Sequence, residues 1–241
     1  PENAYESAHV DGRPAVYLKP DFPPAQSMLG GIHEGRRRWL EANKVYSRID
    51  PDSAYGWNAR IRQAANFDRL DQTDESARLL RKLAADFPQR TDALVKLGDI
   101  FRVRKRFDES VEVYTVAMSR IPQPRRRDWT LYYSRGIAYE QTKRWEEDEA
   151  DCLYALELRP DQPLVLNYLG YSWIEKGLHI KRAQLMIEKA VEMRPTDGYI
   201  VDSLGWVLYI LKDYKGAVKK LERAVSLRPE DPIINSHLGD A

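Results

Sequence analysis

The chain has 241 residues, of which 43% are hydrophobic and 31% charged, and its 38 basic and 37 acidic residues give a formal net charge of +1. A charge so close to zero gives the molecule as a whole no electrostatic reason to bind nucleic acid or an anionic membrane. The single cysteine, Cys152, excludes an intramolecular disulfide, and no apolar run approaches the ~20 residues of a membrane-spanning helix.

A small residue returns along the chain at nearly regular intervals. The series is Gly30, Ala64, Gly98, Gly136, Gly170, Gly205 and Gly239. Its spacing is 34 or 35 residues, apart from one interval of 38 that contains a four-residue insertion at 125–128. Glycine inside a helix costs roughly 0.5–1 kcal/mol relative to alanine, so its regular return predicts surfaces where helices approach closely.

Prolines and alanines repeat with the same period. Prolines follow the small residue of their unit by 24 or 25 residues, at Pro88, Pro122, Pro160, Pro195 and Pro229. Alanines precede four of these prolines by five residues, at Ala117, Ala155, Ala190 and Ala224. Since proline cannot continue a helix, each unit is predicted to contain two helices, A and B, that face each other through small residues.

At these residues the chain resembles the tetratricopeptide repeat family, whose 34-residue unit is a helix–turn–helix closed by proline. The resemblance implies an all-α, right-handed superhelical solenoid of stacked antiparallel helix pairs. The predicted repeats are 23–56, 57–90, 91–124, 129–162, 163–197 and 198–231. Residues 1–22 are interpreted as a remnant of a preceding repeat and 232–241 as the truncated start of another, so we expect a fragment of a longer array.

Three units depart from this pattern. Arg60 and Gln63 occupy positions of the repeat 57–90 where apolar residues are expected. Asp148 stands where a small helix-packing residue belongs, which predicts a local adjustment in that unit. In the repeat 23–56 the stretch "DPDSAYG" replaces the end of helix B, so that helix is predicted to be short.

The sequence contains no pattern typical of a catalytic or metal site. Its four histidines are far apart, and none has the spacing of a zinc motif. No nucleophile elbow, phosphate-binding loop or dinucleotide fingerprint occurs, so we expect no catalytic residue, no metal, no cofactor and no enzymatic activity. Cys152 falls at a helix-B position that predicts a buried, small apolar residue.

In the resembled family the A helices line a concave groove that binds peptides or extended segments. The A-helix face away from the glycines carries a run of aromatic and polar residues in the C-terminal half. The predicted partner-binding residues are Tyr133, Asn167, Tyr168, Tyr171, Glu175, Tyr199, Asp202, Trp206 and Tyr209. Tyr and Trp dominate interface hot spots, and the amide of Asn167 can both donate to and accept from a ligand backbone. The alternative is that several of them are core residues.

Three stretches, "PDQPLVLNYLGYSWIEKG", "DGYIVDSLGWVLY" and "LRPEDPIINSHLGDA", resemble the C-terminal arrays of bacterial proteins of this family. The resemblance covers about residues 91–241, and the group includes envelope lipoproteins. Those lipoproteins act as adaptors for carboxy-terminal processing proteases. The resemblance implies a periplasmic or outer-membrane-associated scaffold whose partners are a protease and its substrate. The groove lacks the Lys and Asn set that grips chaperone tails, since Asp202 replaces an asparagine.

Two other hypotheses stay open beside a non-catalytic scaffold. The chain could be the regulatory arm of a larger enzyme whose catalytic residues lie elsewhere. It could also bind nucleic acid through the basic clusters "GRRRW", "RVRKR" and "PRRRD", although each is short and has acidic neighbours. Self-association through the array ends, near 1–22 and 232–241, is a further prospect.

Overall fold

A computed structural model describes residues 21–241, so nearly all of the predicted remnant 1–22 lies outside the described residues. Within 21–241 there are thirteen α-helices and no strand, which confirms the all-α prediction. The helices are α1 Pro23–Gly35, α2 Trp39–Tyr46, α3 Gly56–Arg69, α4 Thr73–Asp86, α5 Asp92–Val103, α6 Phe107–Ser119, α7 Trp129–Gln141, α8 Trp145–Leu158, α9 Pro163–Glu175, α10 Ile180–Met193, α11 Gly198–Ile210, α12 Tyr214–Leu227 and α13 Pro232–Asp240.

The odd-numbered helices are the A helices and the even-numbered ones the B helices. Each A helix from α1 to α11 packs mainly against the B helix that follows it after a short turn. Helix α2 has only 8 residues, as the interrupted pattern of its repeat predicted. Helix α13 is an A helix of 9 residues that packs on α12 and α11.

The chain divides into two compact units between Gln123 and Pro124, next to the predicted insertion at 125–128. The first unit contains α1 to α6 and the second α7 to α13. Residues Arg126–Asp128 of the insertion form a short 3-10 turn that leads directly into α7.

From Gly30 to Gly205 the recurrent glycines lie where an A helix approaches its B helix most closely, whereas a Cβ built on Gly239 of α13 would meet nothing within 4 Å. A Cβ atom built on Gly98 would lie 2.5 Å from Cε1 of Tyr114, and one built on Gly205 would lie 2.6 Å from Cγ of Leu221. Both B-helix side chains are fully buried. The missing side chain of the A helix is therefore replaced by a large side chain of the B helix, whose burial contributes roughly 2 kcal/mol.

Each A–B turn contains a residue in the left-handed region at the same position, and the turn before α10 has a second one, His179. The residues at the shared position stand seven positions after the small residue of each repeat and are Arg37, Asp71, Lys105, Lys143, Gly177 and Lys212. The next backbone N–H donates to a carbonyl five residues back, as Arg106 N does to Phe101 O at 2.8 Å. This is the Schellman helix end, which glycine normally favours but which five of these six turns build with a charged residue.

Arg60 and Gln63 form a polar contact with α2 instead of disturbing the helix packing. The guanidinium of Arg60 donates to the carbonyls of Tyr46 and Ile49 at 3.1 and 3.2 Å, at the end of the short helix α2. Gln63 Nε2 donates to Asn43 O at 3.2 Å, and Asn43 Nδ2 donates in return to Gln63 O at 3.4 Å. Polar residues at apolar positions thus add hydrogen bonds to carbonyls at and just after the end of α2.

Two adjacent glycines in α1 test the close-approach contact. A Cβ on Gly30 would lie 2.5 Å from Cζ of the buried Tyr46 ring, whereas one on Gly31 would lie 3.6 Å from Nη2 of Arg62, an ordinary van der Waals distance. We expect Gly30→Ala to lower the free energy of unfolding by about 1–3 kcal/mol through overpacking. Gly31→Ala should raise it by up to about 1 kcal/mol through helix propensity alone.

Urea unfolding followed by circular dichroism measures both variants. Gly31→Ala is the matched control, because it makes the same chemical change one residue along the same helix. Equal midpoints for the two variants would contradict the contact with Tyr46.

The left-handed turn residues give a second stability prediction. Lys105 has a φ of 60° and an exposed side chain, so Lys105→Gly should stabilise the chain by roughly 0.5–1 kcal/mol through release of backbone strain. Lys82→Gly, in the exposed interior of α4, should destabilise it by about 1 kcal/mol. Thermal unfolding of both variants decides the prediction, and destabilisation by Lys105→Gly would refute it.

Candidate functional site

The A helices of the second unit surround one cavity of about 630 Å³. Four successive A helices, α7, α9, α11 and α13, contribute side chains to its walls. Seven of the nine residues predicted to bind a partner line it: Tyr133, Asn167, Tyr168, Tyr171, Glu175, Tyr199 and Asp202. The cavity is called the A-helix groove below.

Tyrosine rings form one wall of the A-helix groove. Tyr133 of α7 and Tyr168 of α9 meet edge to face, with ring centroids 5.5 Å apart. Trp129, one turn before Tyr133, lies behind with its ring centroid 6.0 Å from that of Tyr133. These contacts fix the rings before any partner arrives, so a ligand loses little entropy in ordering them.

A buried carboxyl group supports this wall from behind. Asp148 of α8 is fully buried; its Oδ2 accepts from the hydroxyl of Tyr168 at 3.2 Å and its Oδ1 from the thiol of Cys152 at 3.4 Å. There is room for it because Gly136 opposite has no side chain, and a Cβ there would lie 2.9 Å from Asp148 Oδ1. Removal from water raises the pKa of Asp148 from its ordinary 3.8 to about 7.

Asp148 has contacts in this region that sequence reasoning missed. The repeat pattern marked it as a misfit that needs a local adjustment, whereas it links α8 to the groove residue Tyr168 of the next A helix. The sequence did contain a signal for this buried carboxyl group. An acid stands at a position that normally holds a small residue, opposite a glycine. Cys152 is buried as predicted, and burial raises the pKa of its thiol.

Glu175 and Tyr171 lie one helical turn apart on α9, on the same face of the helix. Burial, followed by the neighbouring Glu175 carboxylate, raises the pKa of Tyr171 to about 12. Asn167 lies one turn earlier on this face, and its buried Oδ1 has no hydrogen-bond partner among the described residues. An unpartnered amide oxygen costs about 1–3 kcal/mol, which a ligand donor would recover if the side chain turned toward it.

Trp206 and Tyr209 do not line the A-helix groove, although they were predicted with it. The ring of Trp206 stacks with those of Tyr209 and His237, at centroid distances of 5.0 and 4.1 Å. Its Nε1 donates to Glu175 Oε1 at 2.8 Å. Trp206 therefore holds a groove residue in place from outside the cavity.

The stack ends at a buried acid–histidine contact. His237 Nδ1 of α13 lies 3.0 Å from both carboxylate oxygens of Asp202 on α11. Burial raises the pKa of Asp202, and the hydrogen bond to His237 opposes that shift. Both side chains line the groove, so this contact closes its end.

The described residues contain no group of three or more His, Cys, Asp or Glu side chains placed to hold a metal ion. Between residues 21 and 241, no helix has both the length and the apolar character needed to cross a membrane. What the groove does offer is aromatic surface, carboxylates and one amide without a partner, which is the chemistry of recognition.

Residues 61–124 match the family model of the tetratricopeptide repeat. PilF from Pseudomonas aeruginosa has a solved structure that superposes with a TM-score of 0.72 at 16% identity, covering 91% of this chain and 97% of that one. The chain has the tetratricopeptide repeat fold. YrrB, described as a tetratricopeptide repeat protein with an unusual peptide-binding site, superposes with a TM-score of 0.53 at 12% identity over 95% of this chain and 98% of its own.

Among curated proteins, the tetratricopeptide repeat-containing protein PA4667 of Pseudomonas aeruginosa is 24% identical over 213 residues. The match covers 88% of this chain but 35% of PA4667, so the chain spans about a third of that relative's length. Another relative, the BBSome complex member BBS4 of Bos taurus, is 26% identical over 221 residues, with 41% of its length covered. Tetratricopeptide repeats generally mediate protein–protein interaction.

The buried carboxyl of Asp148 predicts a pH dependence of stability. The folded pKa of Asp148, about 7, exceeds the ordinary 3.8, so the folded state holds its proton more tightly than the unfolded chain does. The contribution of this proton to the free energy of unfolding is fully present below pH 3.8 and is lost as the pH rises through 7. Relative to Asp148→Asn, the wild-type chain should therefore lose roughly 2 kcal/mol of unfolding free energy between pH 5 and pH 8.

Urea midpoints at several pH values measure this difference. Glu157→Gln is the control, since Glu157 is an exposed acid of the same helix, and it should leave the pH profile unchanged. Parallel profiles for the wild type and Asp148→Asn would show that Asp148 keeps an ordinary pKa.

Proposed function

We propose that this chain is a non-catalytic scaffold that binds an extended segment of a partner protein in the A-helix groove. One observation carries the proposal: side chains from four successive A helices converge on a single cavity whose walls are rich in tyrosine. Tyrosine provides a large contact area with few rotatable bonds, and it is enriched among residues that dominate binding energy.

The peptide-binding site named for YrrB supports this proposal by analogy of fold. The finer proposal is an adaptor of the bacterial envelope that brings a protease and its substrate together. It is supported by the resemblance of residues 91–241 to envelope lipoproteins and by similarity to PA4667, a bacterial protein of the same repeat type.

The charges of the cluster "RVRKR" weigh against the nucleic-acid alternative. Arg104 is paired with Asp68 and Asp71 at 2.8 and 2.7 Å, and Arg106 with Asp74 at 2.7 Å. Guanidinium groups already neutralised in this way release few counterions from a phosphate backbone.

A matched pair of tyrosines tests the groove. Tyr199 and Tyr214 are both 50% exposed, but of the two only Tyr199 lines the A-helix groove. A displayed library of random dodecapeptides is selected on the full chain, and the enriched peptide is titrated by fluorescence anisotropy. Tyr199→Ala and Tyr171→Ala should weaken binding by about 10-fold or more, as expected for loss of an aromatic anchor, while Tyr214→Ala leaves the affinity unchanged.

Circular dichroism establishes that each variant keeps its helical content. Failure to enrich any peptide, or equal affinity of Tyr199→Ala and the wild type, would overturn the assignment of this groove as the binding surface.

A further inference from the structure

The A-helix groove has an excess of acidic side chains, although the chain as a whole has a net charge of only +1. Four carboxylic acids line it: Glu140, Glu175, Asp197 and Asp202. The basic groups that line it are Lys176 and His237. The excess of acidic groups is therefore local to the A-helix groove, since the chain as a whole is nearly neutral.

Two of the four acids already have ion-pair partners in the protein. Asp202 is held by His237 at 3.0 Å, as described above. Asp197 pairs with Arg194 at 3.6 Å, near the start of α11. These two carboxylates help to build the groove, and a ligand would have to compete for them.

The other two acids, Glu140 and Glu175, are exposed and have no ion-pair partner within the part of the chain that the structure describes. The one lysine of the cavity does not compensate for them, because the ammonium of Lys176 lies 4.5 Å from the ring centroid of Trp145. Glu175 is also held in position by Trp206 Nε1. A carboxylate fixed at the edge of a cavity without a cation is available to a ligand.

The tyrosines next to these acids respond to the same negative potential. Behind the dominant effect of burial, the Glu140 and Asp148 carboxylates contribute to the raised pKa of Tyr168. Glu175 and Asp202 do the same for Tyr171.

The chain itself contains an example of the group that such a site accepts. Arg135 donates through Nε and Nη2 to the two carboxylate oxygens of Asp151 at 2.7 and 2.8 Å, and its guanidinium lies 5.3 Å from the ring centroid of Tyr139. A guanidinium thus combines a bidentate hydrogen bond with a cation–π contact. In the A-helix groove the carboxylate and the ring are present, and the cation is what a partner would bring.

We propose that the A-helix groove takes a peptide segment with an arginine or lysine side chain, whose cation binds the carboxylates of Glu140 and Glu175 beside the rings of Tyr168 and Tyr171. The Asn167 carboxamide, one turn before Tyr171, bonds the peptide backbone. This inference rests on the proposed function and gives the partner segment its chemistry.

Peptide pools of defined charge test the proposal on the full chain. Four fluorescein-labelled pools of octapeptides are degenerate in the uncharged residues and carry Arg, Lys, Gln or Glu at one fixed central position. The Arg and Lys pools should bind at least 10-fold more tightly than the Glu pool, and the advantage should shrink several-fold between 50 and 300 mM salt. The double variant Glu140→Gln/Glu175→Gln should abolish the preference, whereas the exposed α10 control Glu192→Gln keeps it.

The outcomes separate this inference from the proposed function. If the Gln or Glu pool binds as tightly as the Arg pool, and Tyr199→Ala removes that binding, the groove still binds peptides but the cationic side chain is wrong. A charge preference that survives the double variant would also overturn the inference. If no pool shows binding that Tyr199→Ala weakens, both the inference and the proposed function fail.

Discussion

The close contact between each A helix and its B helix is the constraint on which the rest of the structure depends. At these points the A helix offers a backbone without a side chain, and the ring of Tyr46 or Tyr114, or the branched chain of Leu221, fills the space. A helical glycine costs up to about 1 kcal/mol, which is less than the burial of one large side chain contributes. The glycines are therefore retained by packing, in spite of their poor helix propensity.

This contact also fixes which side chains face the groove. Tyr133, Asn167 and Asp202 each stand three residues before the small residue of their repeat, and all three line the same cavity. Because the small residues Gly136, Gly170 and Gly205 each face the B helix that follows, a given offset from them points in the same direction in all three A helices. Packing between helices thus determines the register of the binding surface, and the choice of side chain at that offset determines its chemistry.

Periodicity predicted the two helices of each unit and their pairing, because both depend on residues at fixed offsets, whereas the groove was implied by the resemblance to the tetratricopeptide repeat family. What could not be predicted depends on contacts between repeats. Asp148 looked like a misfit because its partner Tyr168 belongs to the next repeat. Trp206 shares the predicted face of α11, but His237 of α13 and Glu175 of α9 hold its ring outside the cavity. The position of a residue within its own helix does not indicate which side chains of other repeats it will contact.

Carboxylates have different partners at the turns of the first unit and in the A-helix groove. In the first unit, carboxylates at the turns meet arginines, as Asp68 and Asp74 do with Arg104 and Arg106. Exposed pairs of this kind stabilise a fold only slightly, yet they leave little charge for a partner to use. In the groove, Glu175 is instead oriented by an indole N–H, which fixes the carboxylate without neutralising it. A carboxylate that the chain orients without neutralising is the group that the proposed cationic side chain of a partner would bind.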